Sequence, residues 1–401
     1  MWTKSIIVLG AALALAAPAS GGSKVLFPLM AWDYATDEAT LEKMADCGIN
    51  MVCFVPPKML DACEKHGLKA IVFDERIAGT RWDAPFDYQR ATTKLPEVIR
   101  EVNAHPAVYG YHLKDEPGAH EYPALAKVAE VVKKLAPGKW PYINLLPGDG
   151  AAYDDYVEQF CTICKPPILS YDRYVLGEDG KFGDGFWTNI ATIRSAGIKH
   201  SIPFWNIVLT APHWSYRELS AADIRLQVFG SLVYGARGIS YYKFSSESLP
   251  ILEAPDLGNF RMGPLDQFGE KTVTWEWLRN TNRMVLNLAP TLVKLRSDDV
   301  YHVGPMPERN HPPSDKTLVK AVPSGEFVVG DFTHEDGARY VMVVNKSITR
   351  SSPCNPEFNG SVRKLEYVSP ITGETKAYPT PYYWLAPGQG VLLKVTLAAP
   401  R

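Results

Sequence analysis

Val108-Tyr109-Gly110-Tyr111-His112-Leu113-Lys114-Asp115-Glu116-Pro117-Gly118 runs from an apolar strand into two adjacent carboxylates and a turn. An unpaired charge is costly to bury, so carboxylates at the mouth of a buried strand need solvent, partners or chemistry. Asp115 and Glu116 are therefore the first candidates for an active site. The strand is one of eight short apolar runs, at 25–30, 50–55, 68–73, 108–113, 140–146, 168–171, 202–208 and 238–244. Helix-like stretches at 37–46, 96–103, 122–135, 186–196, 221–234 and 272–292 lie between and after them. Such alternation builds a parallel sheet, and eight units over residues 24–298 fit a closed (β/α)8 TIM barrel. No Gly-x-Gly-x-x-Gly follows a strand, which weighs against a doubly wound dinucleotide-binding fold. Residues 299–401 change texture to strand-like runs at 327–332, 339–344, 362–367 and 390–395, separated by turns such as Asn359-Gly360 and Pro387-Gly388. That pattern predicts a small C-terminal antiparallel β-sandwich.

The chain has 401 residues, 46% hydrophobic and 21% charged, enough for a large core. Formal net charge is −2 with acids and bases interspersed, which argues against nucleic acid as a partner. Residues 1–19 read as a signal peptide: Lys4, an apolar run over 6–17, then Ala17-Pro18-Ala19 as a cleavage site after Ala19. The expected location is secreted or periplasmic. That run is short for a membrane span and no later segment is longer, so no membrane span is expected. Six cysteines are too few for a disulfide scaffold. Cys161-x-x-Cys164 has no second Cys or His pair at zinc spacing, so neither a metal nor a cofactor is expected. Cys47, Cys53 and Cys63 are read as small packed hydrophobes or as one bridge.

Barrel chemistry comes from the C-terminal strand ends. These ends carry Trp32 and Asp33, Asp74-Glu75-Arg76, Asp115 and Glu116, Asn144, Asp172, Trp205 and Asn206, then Tyr242 and Glu247. Carboxylates interleaved with flat aromatic rings describe a carbohydrate site, with rings against the apolar sugar face and polar groups on its hydroxyls. Trp32, Asp33, Asn144, Asp172, Trp205, Asn206, Tyr242 and Glu247 form the expected substrate-binding set. Core packing is the alternative for Trp32, Trp205 and Tyr242, and an ion pair with Arg173 is the alternative for Asp172. Glu116 is the expected general acid, because an ionised Asp115 beside it raises its proton affinity. The blander alternative is that one carboxylate caps the next helix or pairs with Lys114. His112, inside a strand, reads as a hydrogen-bonded core histidine.

Residues 105–117, His105-Pro106 through Gly110-Tyr111 to Asp115-Glu116-Pro117, resemble the strand-four signature of barrel glycosidases. Tyr234-Gly235-Ala236-Arg237-Gly238 resembles their last helix-to-strand turn. Residues 264–272, with Trp275, Leu278, Asn282 and Leu286, resemble the segment after the barrel in beta-galactosidase-like proteins. The resemblance implies a (β/α)8 glycoside hydrolase. In clan-A members the acid/base Glu follows Asn and a nucleophilic Glu ends strand seven. Here Asp115 replaces that Asn, and Phe204-Trp205-Asn206-Ile207-Val208 offers no carboxylate. The adjacent Asp-Glu pair is also similar to beta-N-acetylhexosaminidases, which implies Asp115 as orienter of an attacking acetamido group and Glu116 as acid, then base. A third possibility is a second carboxylate across the pocket, from Asp33, Asp172 or Glu247. The expectation is an exported glycoside hydrolase acting on a polysaccharide or glycan. The alternative is a non-catalytic carbohydrate-binding protein on the same scaffold.

Overall fold

The computed structural model describes residues 27–78, 86–246 and 258–398. The expected signal peptide and Glu247 lie outside the described residues. Eight strands close a barrel in chain order: β1 Leu29–Ala31, β2 Met51–Val55, β3 Lys69–Val72, β4 Val108–Asp115, β5 Trp140–Leu145, β6 Leu169–Asp172, β7 Phe204–Leu209 and β8 Gly238–Tyr242. Every neighbouring pair is parallel, and β8 returns to β1 through Leu29 opposite Ile239. Each of the eight apolar runs thus holds a barrel strand.

Side chains sort by the two-residue period of a strand. Met30, Met51, Cys53, Ile71, Tyr142, Trp205 and Ile207 fill the barrel interior. Leu29, Ala31, Val52, Ala70, Val72, Phe204 and Val208 face the surrounding helices. Those helices start where polar side chains satisfy free N–H groups. Asp37 accepts from Thr40 N at 2.8 Å before α1 Glu38–Asp46, and Ser220 with Asp223 forms a capping box. The helix expected at 96–103 in fact spans Tyr88–Val102, capped by Asp87, with Pro96 inside it. Pro96 resembles a first-turn proline, but Ala91, Leu95, Val98 and Ile99 continue one buried face through it.

All six cysteines are buried and unbridged. No described helix is long and apolar enough to cross a membrane.

After the barrel, a six-stranded antiparallel sheet has the order β16-β15-β18-β12-β11-β9. These are β9 Leu295–Val303, β11 Phe327–His334, β12 Arg339–Asn345, β15 Val362–Val368, β16 Thr375–Ala377 and β18 Gly390–Leu397. Two ribbons accompany it, β10 Val319–Ala321 with β14 Glu357–Phe358, and β13 Ser352–Pro353 with β17 Trp384–Leu385. β9 crosses the expected boundary between residues 298 and 299. One face of the sheet, with Phe327, Val329, Val341, Val343 and Leu393, packs with Val319 and Leu385 of the ribbons as a sandwich core. The alternate residues Val328, Met342, Val344 and Leu392 join the barrel's own core.

The element between them is the helix Ala221–Val233, buried on every side. Two glycines let it approach the sheet. A Cβ at Gly330 would lie 2.3 Å from the Val233 carbonyl oxygen, and one at Gly390 would lie 2.6 Å from Phe229. Gly330→Ala is therefore expected to destabilise the chain by about 1–3 kcal/mol through overpacking. A lower urea midpoint checks it, and an unchanged midpoint means that the sheet does not seat on this helix.

Candidate active site

The placement of the carboxylate pair rests on a one-residue irregularity. His112 lies opposite Tyr142 and Asp115 lies opposite Asn144, so three residues of β4 match two of β5. A regular strand of alternating phase would put Lys114 opposite Asn144 and turn Asp115 toward the helices. The extra residue is a β-bulge, and it rotates Asp115 back to the side that carries Tyr142 and Asn144. Glu116 follows with φ 47°, the left-handed region that non-glycine residues rarely occupy. Its N–H donates to the Asn144 carbonyl at 3.0 Å, which carries the pairing with β5 past the strand end.

One amide joins carboxylates from two strands. Asn144 Nδ2 donates to Asp115 Oδ1 at 3.1 Å and to Asp172 Oδ1 at 2.9 Å. Sharing that nitrogen holds the two oxygens within about 6 Å of each other. Burial pushes the Asp115 carboxyl up to about 6, against the pull of Asn144 and Lys114. Burial, then the neighbouring Asp115 charge, pushes Glu116 up to about 7. Asp172 is raised well above the usual carboxylate range by burial and by Glu116 and Asp115. No described group donates a hydrogen bond to the Glu116 side chain.

Two of the blander alternatives find other partners. Glu121, not Asp115 or Glu116, takes the Gly118 N–H at 2.8 Å at the start of the next helix. Arg173 points to Asp149 at 3.8 Å, leaving Asp172 to Asn144. Asp74 and Glu101 both bind Arg76, a charge cluster on the rim.

Asp33 is 5% exposed, and its two oxygens accept from the backbone N–H groups of Tyr34 at 2.8 Å and Ser245 at 2.7 Å. It ties the end of β1 to the segment after β8, with Lys243 Nζ 3.7 Å away. Tyr242 is half-buried and stacks on Tyr174 at 5.5 Å with planes 13° apart. Burial and the charges of Asp115, Asp33, Asp172 and Glu116 push its phenol up, which places it among all four carboxylates.

Three expected substrate ligands sit elsewhere. Trp205 is 1% exposed and packs against Trp140 and Tyr142 in the barrel interior. Asn206, the next residue, faces the opposite way and donates to Ser231 Oγ at 2.9 Å on the helix Ala221–Val233. Trp32, 5% exposed, packs on Phe54, His112 and Tyr142. His112 is buried in that same group with Nδ1 unpartnered among the described residues, so the expected hydrogen bond at that atom is missing.

Further residues stand at the mouth, among them His213, which the sequence places in the loop after strand seven as a reasonable subsite contact or lid. Tyr174 follows Asp172 and feels Asp172, Asp115 and Glu116 together. His213 stacks on Phe260 at 4.8 Å beside Tyr242. Tyr174 was readable as the continuation of the strand-six end, but Phe260 comes from a loop with no sequence signal. A separate hollow of about 420 Å³, lined by Asp154, Glu158, Thr192, Lys199 and Arg309, belongs to the outer helices. It touches none of the strand ends.

No protein-family model and no curated protein matches this sequence. Among solved structures, a glycoside hydrolase family 5 protein from Bacteroides vulgatus is similar, with TM-score 0.60 and 12% identity, over 92% of this chain and 89% of that one. The chain has the fold of glycoside hydrolase barrels. A second structure described as a glycoside hydrolase matches with TM-score 0.57 and 12% identity over 94% of both chains, sandwich included. A beta-galactosidase from the psychrophilic Marinomonas ef1 matches with TM-score 0.52 and 12% identity, over 66% of this chain. This chain spans 60% of the length of that enzyme.

The raised carboxyls have a consequence for stability. A carboxyl whose folded pKa exceeds its unfolded value near about 4 favours folding below that value, and the benefit is lost as pH rises through the folded pKa. For Asp115 and Glu116 the loss runs up to about 6 and about 7 respectively. Asp115→Asn keeps an acceptor for Asn144 without the charge. It is expected to melt higher than wild type at neutral pH and to show no advantage near about pH 4. A gain independent of pH would exclude the buried charge as its source.

Proposed function

We propose that the protein is a glycoside hydrolase in which Glu116 is the general acid and Asp172 is the carboxylate that faces the anomeric carbon. The observation that carries this reading is the Asn144 amide bridging Asp115 on β4 to Asp172 on β6, with Glu116 beside them. Glycosidic cleavage needs one protonated carboxyl at the leaving oxygen and one ionised group for the oxocarbenium-like transition state. Glu116, pushed up to about 7, keeps its proton near neutrality and has no described donor competing for it. Asn144 donates to Asp172 and pulls it toward its ionised form, while burial and the charges of Glu116 and Asp115 outweigh that pull and raise it. Asp115 holds the proton on Glu116 by its charge. Strand seven lacks a carboxylate, and Asp172 supplies from β6 what that strand does not. A carboxylate of the chain's own favours this route over attack by a substrate acetamido group.

The sugar would lie among Tyr174, Tyr242 and the carboxylates, with Trp205 and Asn206 taking no part. The signal read in residues 1–19 supports export, and the proposed substrate is a polysaccharide or glycan.

Glu116→Gln is expected to lower kcat on aryl glycosides by about 10²- to 10⁴-fold, with much of the loss recovered on a leaving group that needs no proton. Wild-type activity should fall as pH rises through about 7, and that limb should vanish in the variant. Equal activity in both proteins would remove Glu116 as the acid. A wild-type protein inert on a broad glycoside panel but binding glycans would instead establish the non-catalytic scaffold.

A further inference from the structure

Asn144 was expected to touch substrate, yet its amide has no hydrogen to spare. Its Oδ1 accepts from Ser170 Oγ at 2.9 Å, and Ser170 Oγ lies 2.6 Å from the Tyr142 hydroxyl. All three residues are buried. A serine has one proton, and here it goes to Asn144, so the Tyr142 phenol donates to Ser170. The carboxylates at the other end, which accept, decide which end of the amide is oxygen. Nδ2 must then face the carboxylates, and its two hydrogens are both consumed on Asp115 and Asp172.

The amide therefore offers a ligand no donor, and the pair faces it with carboxyl oxygens. Glu116 adds a third carboxyl beside them. Among the described residues no cation forms an ion pair with Asp115, Glu116 or Asp172, although the Lys114 charge acts on Asp115 and Glu116 from further off. Lys243 Nζ is directed to Asp33 at 3.7 Å and lies 5.1 Å from the centre of the Phe260 ring. The stacked rings of Tyr174 and Tyr242 stand next to the pair, and an aromatic surface accepts a cation well.

We infer that the group lying against Asp115 and Asp172 is an ammonium, so that the substrate class is a 2-amino-2-deoxy hexoside with a free amine. The inference rests on the reading that a sugar occupies the strand mouths with Glu116 at its glycosidic oxygen. Asp115 is the chain neighbour of Glu116, and the carbon next to the anomeric centre is C2. An ammonium brings three donors and a charge to a site of acceptors. A hydroxyl brings one donor. An acetamido group brings one N–H together with a carbonyl oxygen that finds no donor in the pair. A site built to bond a donor rejects the analogue that lacks it more strongly than any apolar pocket rejects a misfit.

The test uses wild-type protein and p-nitrophenyl glycosides in the gluco and galacto series, both anomers, carrying 2-amino, 2-acetamido or 2-hydroxyl groups. At about pH 6, where the amine keeps its proton, kcat/KM should favour the amino glycoside by about tenfold or more. Asp115→Asn should bring the three to near parity. Equal or better turnover of the acetamido or hydroxyl glycoside overturns the inference while leaving the hydrolase reading intact. A second measurement needs no turnover: calorimetric titration of Glu116→Gln with glucosamine, N-acetylglucosamine and glucose. Tighter binding of glucosamine supports the inference even if no glycoside is cleaved, in which case the hydrolase reading alone falls. Equal binding of the three overturns it.

Discussion

Two hydrogens on one amide nitrogen organise the mouth of this barrel. Asn144 spends both on carboxylates from the strands on either side, and its oxygen is held by a serine that is itself held by a tyrosine. Without that nitrogen, Asp115 and Asp172 would meet as two desolvated anions, an arrangement that low-dielectric surroundings penalise heavily. The bulge in β4 makes the contact possible, since it alone turns Asp115 to the side on which Asn144 stands.

The site is therefore a place where folding works against itself. Burial raises three carboxyls, and a left-handed Glu116 adds backbone strain at the same corner. The rest of the molecule offsets these costs. An interior filled by aromatic and sulfur-bearing side chains closes the barrel below the site, and a β-sheet seated on a fully buried helix braces it outside. The same burial that disfavours an ionised Glu116 raises its hold on a proton toward neutrality, as the proposed role of general acid requires.

Much of this was legible from residues. The eight strands followed from apolar runs of the right length, because a strand covered on both faces has to be apolar throughout. Asp115, Glu116, Asn144, Asp172 and Tyr242 were singled out because barrel chemistry collects at strand ends, and the fold brings them to one mouth. Neighbours in one strand were the weak point. Trp205 and Asn206 were both assigned to the pocket, although a period of two allows only one of any adjacent pair to face inward. Trp205 faces inward and is buried too deep to meet a ligand, while Asn206 faces a helix. Phe260, from a loop, had no periodicity to announce it.

By itself the sequence determined the barrel, its sandwich and the strand that carries the paired carboxylates, since these depend on local polarity patterns that hold for any register. Only the tertiary structure decided which carboxylates are joined. That choice depends on one extra residue in β4 and on an amide from β5 reaching to β6, and pairing between strands is a long-range property that no local pattern encodes. The sequence offered Asp33, Asp172 and Glu247 as partners, reading Asp33 rather as a sugar ligand and Glu247 as a loop residue, and hydrogen bonding ties Asp33 to the backbone and Asp172 to Asn144.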